Sequence, residues 1–226
     1  MQESLTDLSR SFYDLAIAGQ TLRLHAGCFA EWREEKTIFL ADAHLGKIAH
    51  FRRAGYNLPG EAGGDTFSRL SALMETHRPQ RLIFLGDLFH SDFNEDFPRF
   101  AEWRKHFPET DVLLIPGNHD LAGGKHLHNL GIRVEKPQQL GPFYLQHEPG
   151  ETDNGFLLCG HIHPAVSLTG KGRQHLRFPA FWHKPGFLCL PAFGSFTGLA
   201  RIEANREDVF FAITGDSIRR IPLGIL

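Results

Sequence analysis

RLIFLGDLFH, residues 81–90, is the stretch on which the reading of this chain turns. Leu82, Ile83, Phe84 and Leu85 form a short apolar run that stops at Gly86-Asp87. Such a run closed by glycine reads as a strand buried on both faces. Gly86 allows a tight turn, and Asp87 is left at the carboxyl end of the strand, the edge at which open α/β sheets bind ligands.

The pattern recurs four times. Thr37-Ile38-Phe39-Leu40 leads into Asp42-Ala43-His44, and Val112-Leu113-Leu114-Ile115 into Gly117-Asn118-His119-Asp120. Phe143-Tyr144-Leu145 leads into His147, and Phe156-Leu157-Leu158-Cys159 into Gly160-His161-Ile162-His163. A single aspartate after a strand is ordinarily a turn or cap residue, and a single histidine is ordinarily solvated. Five runs that each deliver Asp, Asn or His at one end are read as one site.

Around these runs the chain alternates in its first half. Residues 63–77 carry Phe67, Leu70, Leu73 and Met74 at helical spacing, and residues 93–106 place Phe97, Phe100, Ala101 and Trp103 roughly helically. Strand, helix, strand implies parallel pairing with crossover helices. Residues 123–130 read as a short helix, and the second half as short strands at 132–134, 143–147, 156–160, 165–168, 174–178, 187–190, 200–202, 208–213 and 217–221. Residues 2–19 are open between strand and helix. Two sheets packed face to face with helices outside accommodate both halves, in a single domain over residues 1–226.

Hydrophobic content of 42%, charged content of 22% and a net charge of −2 are those of an ordinary globular chain. Nothing in the overall charge selects nucleic acid or membrane, so a polyanion would have to be held by a local patch or by bound metal. Cys28, Cys159 and Cys189 have no paired spacing, and the latter two lie in apolar runs as buried free thiols. With no signal peptide and no apolar run near the ~20 residues of a membrane helix, the expected location is the cytoplasm.

The candidate ligands are Asp42, His44, Asp87, Asn118, His147, His161 and His163. A mixed oxygen and nitrogen set without thiolate suits Mn, Fe or Zn. Seven ligands exceed the needs of one four-coordinate ion but divide between two if a carboxylate bridges, and Asp87, on the middle strand, is the natural bridge. Two ions about 3.5–4 Å apart clamp the attacking and leaving oxygens of an in-line displacement. Asp42 and His44, two apart on extended chain, share a face, as do His161 and His163. Gly117 and Gly160 relieve crowding beside their ligands. His119 is placed to protonate a leaving oxygen as general acid, so His119 and Asp87 are the expected catalytic residues.

These blocks resemble those of the calcineurin-like metallophosphoesterases, whose signature runs Asp-x-His, Gly-Asp, Gly-Asn-His-Asp/Glu, a lone His and Gly-His-x-His. The resemblance implies a four-layered αββα sandwich of two mixed sheets and a dinuclear metal centre. It assigns Asp42, His44, Asp87 and His163 to one ion, and Asp87, Asn118, His147 and His161 to the other. It gives His119 the role facing the leaving group or phosphate.

A narrower resemblance spans nearly the whole chain. It is carried by His44-Leu45-Gly46-Lys47, Phe51-Arg52-Arg53-Ala54-Gly55, His147-Glu148-Pro149, Arg177-Phe178-Pro179 and the run from Leu190 to Gly198. These segments are similar to the ligase-associated DNA damage response endonucleases of the PdeM group. That implies a Mn-dependent phosphodiesterase or nuclease acting on DNA in a bacterial repair setting shared with a DNA ligase and a helicase. Ala43 stands where the group has Leu, and Leu199 where it has a second Gly; neither is a ligand.

Lys47, Arg52 and Arg53 follow the first ligand pair and are expected to line one wall. Lys171, Arg173, His175, Arg177 and Lys184 form a second basic cluster interleaved with Phe178, Phe181 and Trp182. Basic groups with aromatics can hold single-stranded nucleic acid, although such aromatics equally belong to a core. The residues from Ala192 to Gly198 either approach a ligand or pack against the metal loops. The alternative substrate is a small nucleotide or phosphoester, and a non-catalytic binding module is a third reading, opposed by the complete ligand set.

Overall fold

The computed structural model describes residues 11–47, 66–90, 96–118, 120, 124–169, 175–195 and 197–221. Its first sheet runs in chain order: β1 (Phe12–Ile17), β2 (Gln20–His25), β3 (Phe29–Trp32), β4 (Thr37–Leu40), β5 (Arg81–Leu85), β6 (Asp111–Ile115) and β7 (Ile132–Val134). β1 to β4 pair antiparallel through hairpins, and β4 to β7 pair parallel. The parallel half needs crossovers, and helices α1 (Thr66–His77), α2 (Asp96–Lys105) and α3 (Gly124–His128) supply them.

Helix α1 buries Phe67, Leu70, Leu73 and Met74, the stripe read from the sequence. Arg78 at φ 44° with Pro79 behind it ends the helix, since the backbone turns left-handed and proline cannot extend it. Helix α2 buries Phe100 and Trp103. Asp96 in its first turn and Arg104 and Lys105 in its last complement the helix dipole.

The second sheet has the order β14 (Ala200–Arg201), β11 (Pro164–Thr169), β12 (His175–Lys184), β13 (Phe187–Cys189), β10 (Phe156–Cys159), β9 (Phe143–Leu145), β8 (Gln138–Leu140). β15 (Val209–Thr214) also pairs with β12, and β16 (Ser217–Ile221) with β15. Strand β12 runs through Pro179, beyond the expected end at 178, by changing partners. His175 to Pro179 pair with β11, and from Ala180 on the strand pairs with β15 and then β13. Proline, which cannot donate to a ladder, sits where the neighbour changes.

The two mixed sheets pack face to face, as expected, and the described helices lie outside them as crossovers of the first sheet. Trp32 meets Phe143 edge-on at 4.9 Å, Phe39 meets Phe143 at 6.2 Å, and Tyr13 meets Phe211 at 4.6 Å. One continuous core joins both inner faces. Residues 12–17, left open between strand and helix, are the edge strand β1. Arg23 of β2 holds it from the outer face by two hydrogen bonds to Asp14 and by stacking over Phe12 at 3.8 Å. Phe181 is in the core, and Trp182 packs between Phe187 and Phe210. The aromatics of this segment therefore serve packing. Cys28, Cys159 and Cys189 are buried free thiols. No described helix is long and apolar enough to cross a membrane.

Phe143 is fully buried between the sheets. Phe143→Ala is expected to destabilise the fold by about 3–5 kcal/mol, read from urea denaturation; a loss below about 1 kcal/mol would mean that the sheets do not meet through this ring.

Candidate metal centre

The candidate site is built where β4, β5, β6, β9 and β10 end. Beyond the regular pairing of β4 with β5, the two chains stay side by side. Asp42 N–H donates to Gly86 O, His44 N–H to Asp87 O and Leu45 N–H to Leu88 O, at 3.1, 2.9 and 2.9 Å. Backbone bonding therefore sets Asp42, His44 and Asp87 in one register.

The backbone turns abruptly at each of these points. Asp42 (φ 52°), His44 (φ 43°), Asp87 (φ 48°), His161 (φ 72°) and His163 (φ 54°) all lie in the left-handed region. Side-chain-bearing residues seldom occupy it, and such strain gathers at functional sites because surrounding structure must hold it in place. Here the turn redirects each side chain from the pleat into the space past the strand ends. A Cβ at Gly117 would collide with the Asp87 carboxylate, and one at Gly160 would stand 2.6 Å from both Ala41 Cβ and Asp42 Oδ2. Both glycines are required by space, as their positions before a ligand led us to expect.

The side chains gather into two groups. Asp42, His44 and His163 bring one donor atom each to within 4.8 Å of one another, and Asp87, His147 and His161 do the same. His163 Nε2 lies 3.4 Å from Asp42 Oδ1 and 3.4 Å from His44 Nε2. His147 Nε2 lies 3.0 Å from His161 Nδ1. Asp87 Oδ2 stands between the groups, 4.0 Å from His44 Nε2 and 3.7 Å from His147 Nε2.

The far sides of the rings are fixed by carbonyls. His147 Nδ1–H donates to Leu85 O at 2.9 Å, and His163 Nδ1–H to Gly198 O at 3.1 Å. Each bond sets the tautomer and leaves the Nε2 lone pair aimed at the centre. The Asp42 carboxylate accepts the His161 N–H on Oδ2 at 2.9 Å, while its buried Oδ1 has no hydrogen-bond donor among the described residues. Inward-facing lone pairs and an orphaned buried carboxylate oxygen fit cations, because burying uncompensated acceptors is costly. The donors are nitrogen and oxygen without sulfur, a set for Mn, Fe or Zn.

Asn118 is exposed on the rim, and its Nδ2 donates to Glu148 Oε1 at 3.0 Å, which fixes the amide's orientation. The sequence marked Glu148 within His147-Glu148-Pro149 but gave it no role. Asp120 accepts Gly117 N–H at 2.9 Å and Leu88 N–H at 3.0 Å, tying the β5 and β6 loops together. Burial pushes its carboxyl up to about 6, and the charge of Asp87 adds to this against the amide donors. Both oxygens thus serve backbone amides. His119 itself, Arg52, Arg53 and Arg173 lie outside the described residues.

Lys47 is half-buried, and desolvation lowers its pKa against the pull of Asp42 and Asp87. It therefore stands within electrostatic reach of both carboxylates. Arg177 is exposed on β12 opposite Ser167, four residues along β11 from His163. At strand rise that is about 13 Å from the centre. His126 and His128 are exposed. Phe193 and Gly194 pack on the loop after β4: Phe193 N–H donates to Ala41 O at 2.8 Å and Gly194 N–H to Asp42 O at 3.0 Å.

No curated protein sequence matches the chain. Among solved structures, it is similar to the Pseudomonas putida nuclease MPE, with a TM-score of 0.76 and 31% identity over 93% of this chain and 100% of that one. It is also similar to YfcE, a phosphoesterase from E. coli, with a TM-score of 0.43 and 16% identity over 82% of this chain and 97% of that one. The close packing at Gly117 gives a direct test of the site. Gly117→Ala should displace the Asp87 carboxylate and weaken metal binding about 10–100-fold by titration calorimetry, with the circular dichroism spectrum kept; unchanged affinity would show that Asp87 is not held there for metal. The family model of the calcineurin-like phosphoesterases matches residues 35–187, the span holding all these strand ends, and the chain belongs to that family of metal-dependent phosphoesterases.

Proposed function

We propose that this chain is a Mn-dependent phosphodiesterase that cleaves DNA, single-stranded by preference, through a dinuclear centre shared at Asp87. The observation that carries the reading is that Asp87, one of the three donors of the second group, also lies 4.0 Å from His44 of the first, and 3.7 Å from His147 of its own. Asp42, His44, Asp87 and His163 would hold one ion, and Asp87, Asn118, His147 and His161 the other. When bound, the pair supplies charge neutralisation at the phosphate and lowers the pKa of water to give a nucleophile at neutral pH.

The protein's own residues do the rest. His163 and His147, locked by the carbonyls of Gly198 and Leu85, keep their lone pairs on the centre. Glu148 takes the Asn118 amide N–H and so leaves the Asn118 carbonyl oxygen as its available donor. Lys47 adds positive charge on the wall beside Asp42 and Asp87, where an anionic ester would sit. His119, next to Asn118 in the sequence, delivers a proton to the departing oxygen.

Two observations favour a polymeric substrate. The relative with the higher TM-score is named a nuclease. A groove of about 660 Å³ lies beside β11 and β14, lined by Ser167, Arg201, Glu203, Asn205 and Arg206 among others. β11, which begins at Pro164 directly after His163, contributes Ala165, Val166 and Ser167 to this groove. Arg201 and Arg206 suit successive phosphates of a strand. The narrower sequence resemblance supports a repair setting with a DNA ligase and a helicase as functional associates, and the buried free thiols suit the cytoplasm.

Metal-stripped protein reloaded with Mn should hydrolyse bis(p-nitrophenyl) phosphate and a labelled single-stranded oligonucleotide. Asp87→Asn should lose at least about 100-fold on both, and His119→Ala should lose about 10²–10⁴-fold in kcat with metal retained. Oligonucleotide binding should weaken steeply with salt. Cleavage of the small diester alone would overturn the DNA reading in favour of a small nucleotide or phosphoester. Failure on both, with metal bound, would overturn the diesterase reading.

A further inference from the structure

Another group of metal-binding side chains lies outside the strand-end centre. His25 of β2, Glu31 of β3 and His77, the last residue of α1, bring one donor atom each to within 4.8 Å of one another. All three are half-buried. Residues alternate faces along a strand. Leu24 and Trp32 belong to the core between the sheets, so His25 and Glu31 face the other way, toward α1. The group therefore shares no residue with the strand-end centre and lies on the outer face of the first sheet.

We propose that His25, Glu31 and His77 form a separate binding site for one divalent transition-metal ion of the Zn, Co or Ni type. The donor set is two imidazoles and a carboxylate, a combination that binds Zn and leaves a position for water. Imidazole favours these ions over Mg, Ca or Mn. His25 Nε2 and Glu31 Oε2 are 3.2 Å apart. Two ligands about 2.0–2.1 Å from a tetrahedral ion stand about 3.4 Å apart, so this edge is already at the required span. Glu31, with three rotatable bonds, and His77, at a helix end, close the remaining distance by side-chain rotation.

The rings are also held in place. Phe29 stacks on His25 at 4.1 Å between centroids and 13° between planes, and it meets His77 edge-on at 5.1 Å. His77 meets His25 edge-on at 4.9 Å.

An ion here would join the C-terminal end of α1 to the β2–β3 hairpin. The N-terminal half of α1 is already anchored nearby, where Arg69 donates to Gly27 O of the same hairpin at 3.0 Å and to Phe193 O at 2.7 Å. Phe193 in turn bonds Ala41, beside Asp42. The ion would complete a clamp along the helix.

The test compares wild type, His77→Ala and Glu31→Gln, each loaded with Mn and then dialysed against micromolar Zn. Total Mn plus Zn per chain is counted by inductively coupled plasma mass spectrometry. Wild type should hold one ion more than either variant, and its Tm should rise further with Zn than theirs. Substituting Co for Zn should give wild type a visible ligand-field band that both variants lack. Phosphoesterase activity should match in all three. Equal ion counts in wild type and a variant, or a Co spectrum that the variants reproduce, would overturn the proposal. Glu31→Gln is isosteric on a partly exposed strand position, so the comparison stands if His77→Ala fails to fold.

Discussion

Two carboxylates, Asp42 at 0% and Asp87 at 4% exposure, sit among imidazoles whose lone pairs are aimed at them. Everything around the strand ends follows from keeping that arrangement in place. Buried anions facing buried lone pairs are expensive unless cations compensate them. The fold meets the cost by rigidity. Paired backbone from Asp42 to Leu45, Asp120 across two loops and carbonyls behind His147 and His163 leave the donors no route of relaxation. Five of the candidate ligands also adopt left-handed backbone, which only such over-determination can sustain.

The layered architecture is the means to that end. Parallel pairing of β4, β5 and β6 puts three carboxyl ends along one edge, and the second sheet brings those of β9 and β10 to meet them. Helices α1 and α2 cover the parallel strands, which are apolar on both sides. Phe193 and Gly194 then tie the chain after the second sheet's β13 to Ala41 and Asp42. Phosphoester chemistry thus depends on two sheets held in register by an aromatic core with Phe143 at its middle.

Much of this was legible in the sequence, because buried parallel strands are written as uninterrupted apolar runs and metal ligands as uncommon residue types. The runs at Thr37–Leu40 and Arg81–Leu85 announced strands, and the Asp and His after them a site. Less legible was β1, whose alternation of Tyr13, Leu15 and Ile17 follows a stretch without clear periodicity. The passage of β12 through Pro179 depends on a change of partner that no local pattern records. The same is true of Leu85 O and Gly198 O, since a carbonyl that fixes a ring belongs to any residue type. The place of Arg177 opposite Ser167 likewise follows from strand pairing and not from a local pattern.

The claim on which the account rests is that two cations share Asp87. Anomalous diffraction at the Mn edge from crystals of the Mn-loaded protein tests it most directly. The account predicts two peaks about 3.5–4 Å apart, one against Asp42, His44 and His163, the other against His147 and His161, with Asp87 between them. A single peak, or two peaks without Asp87 between them, would contradict it.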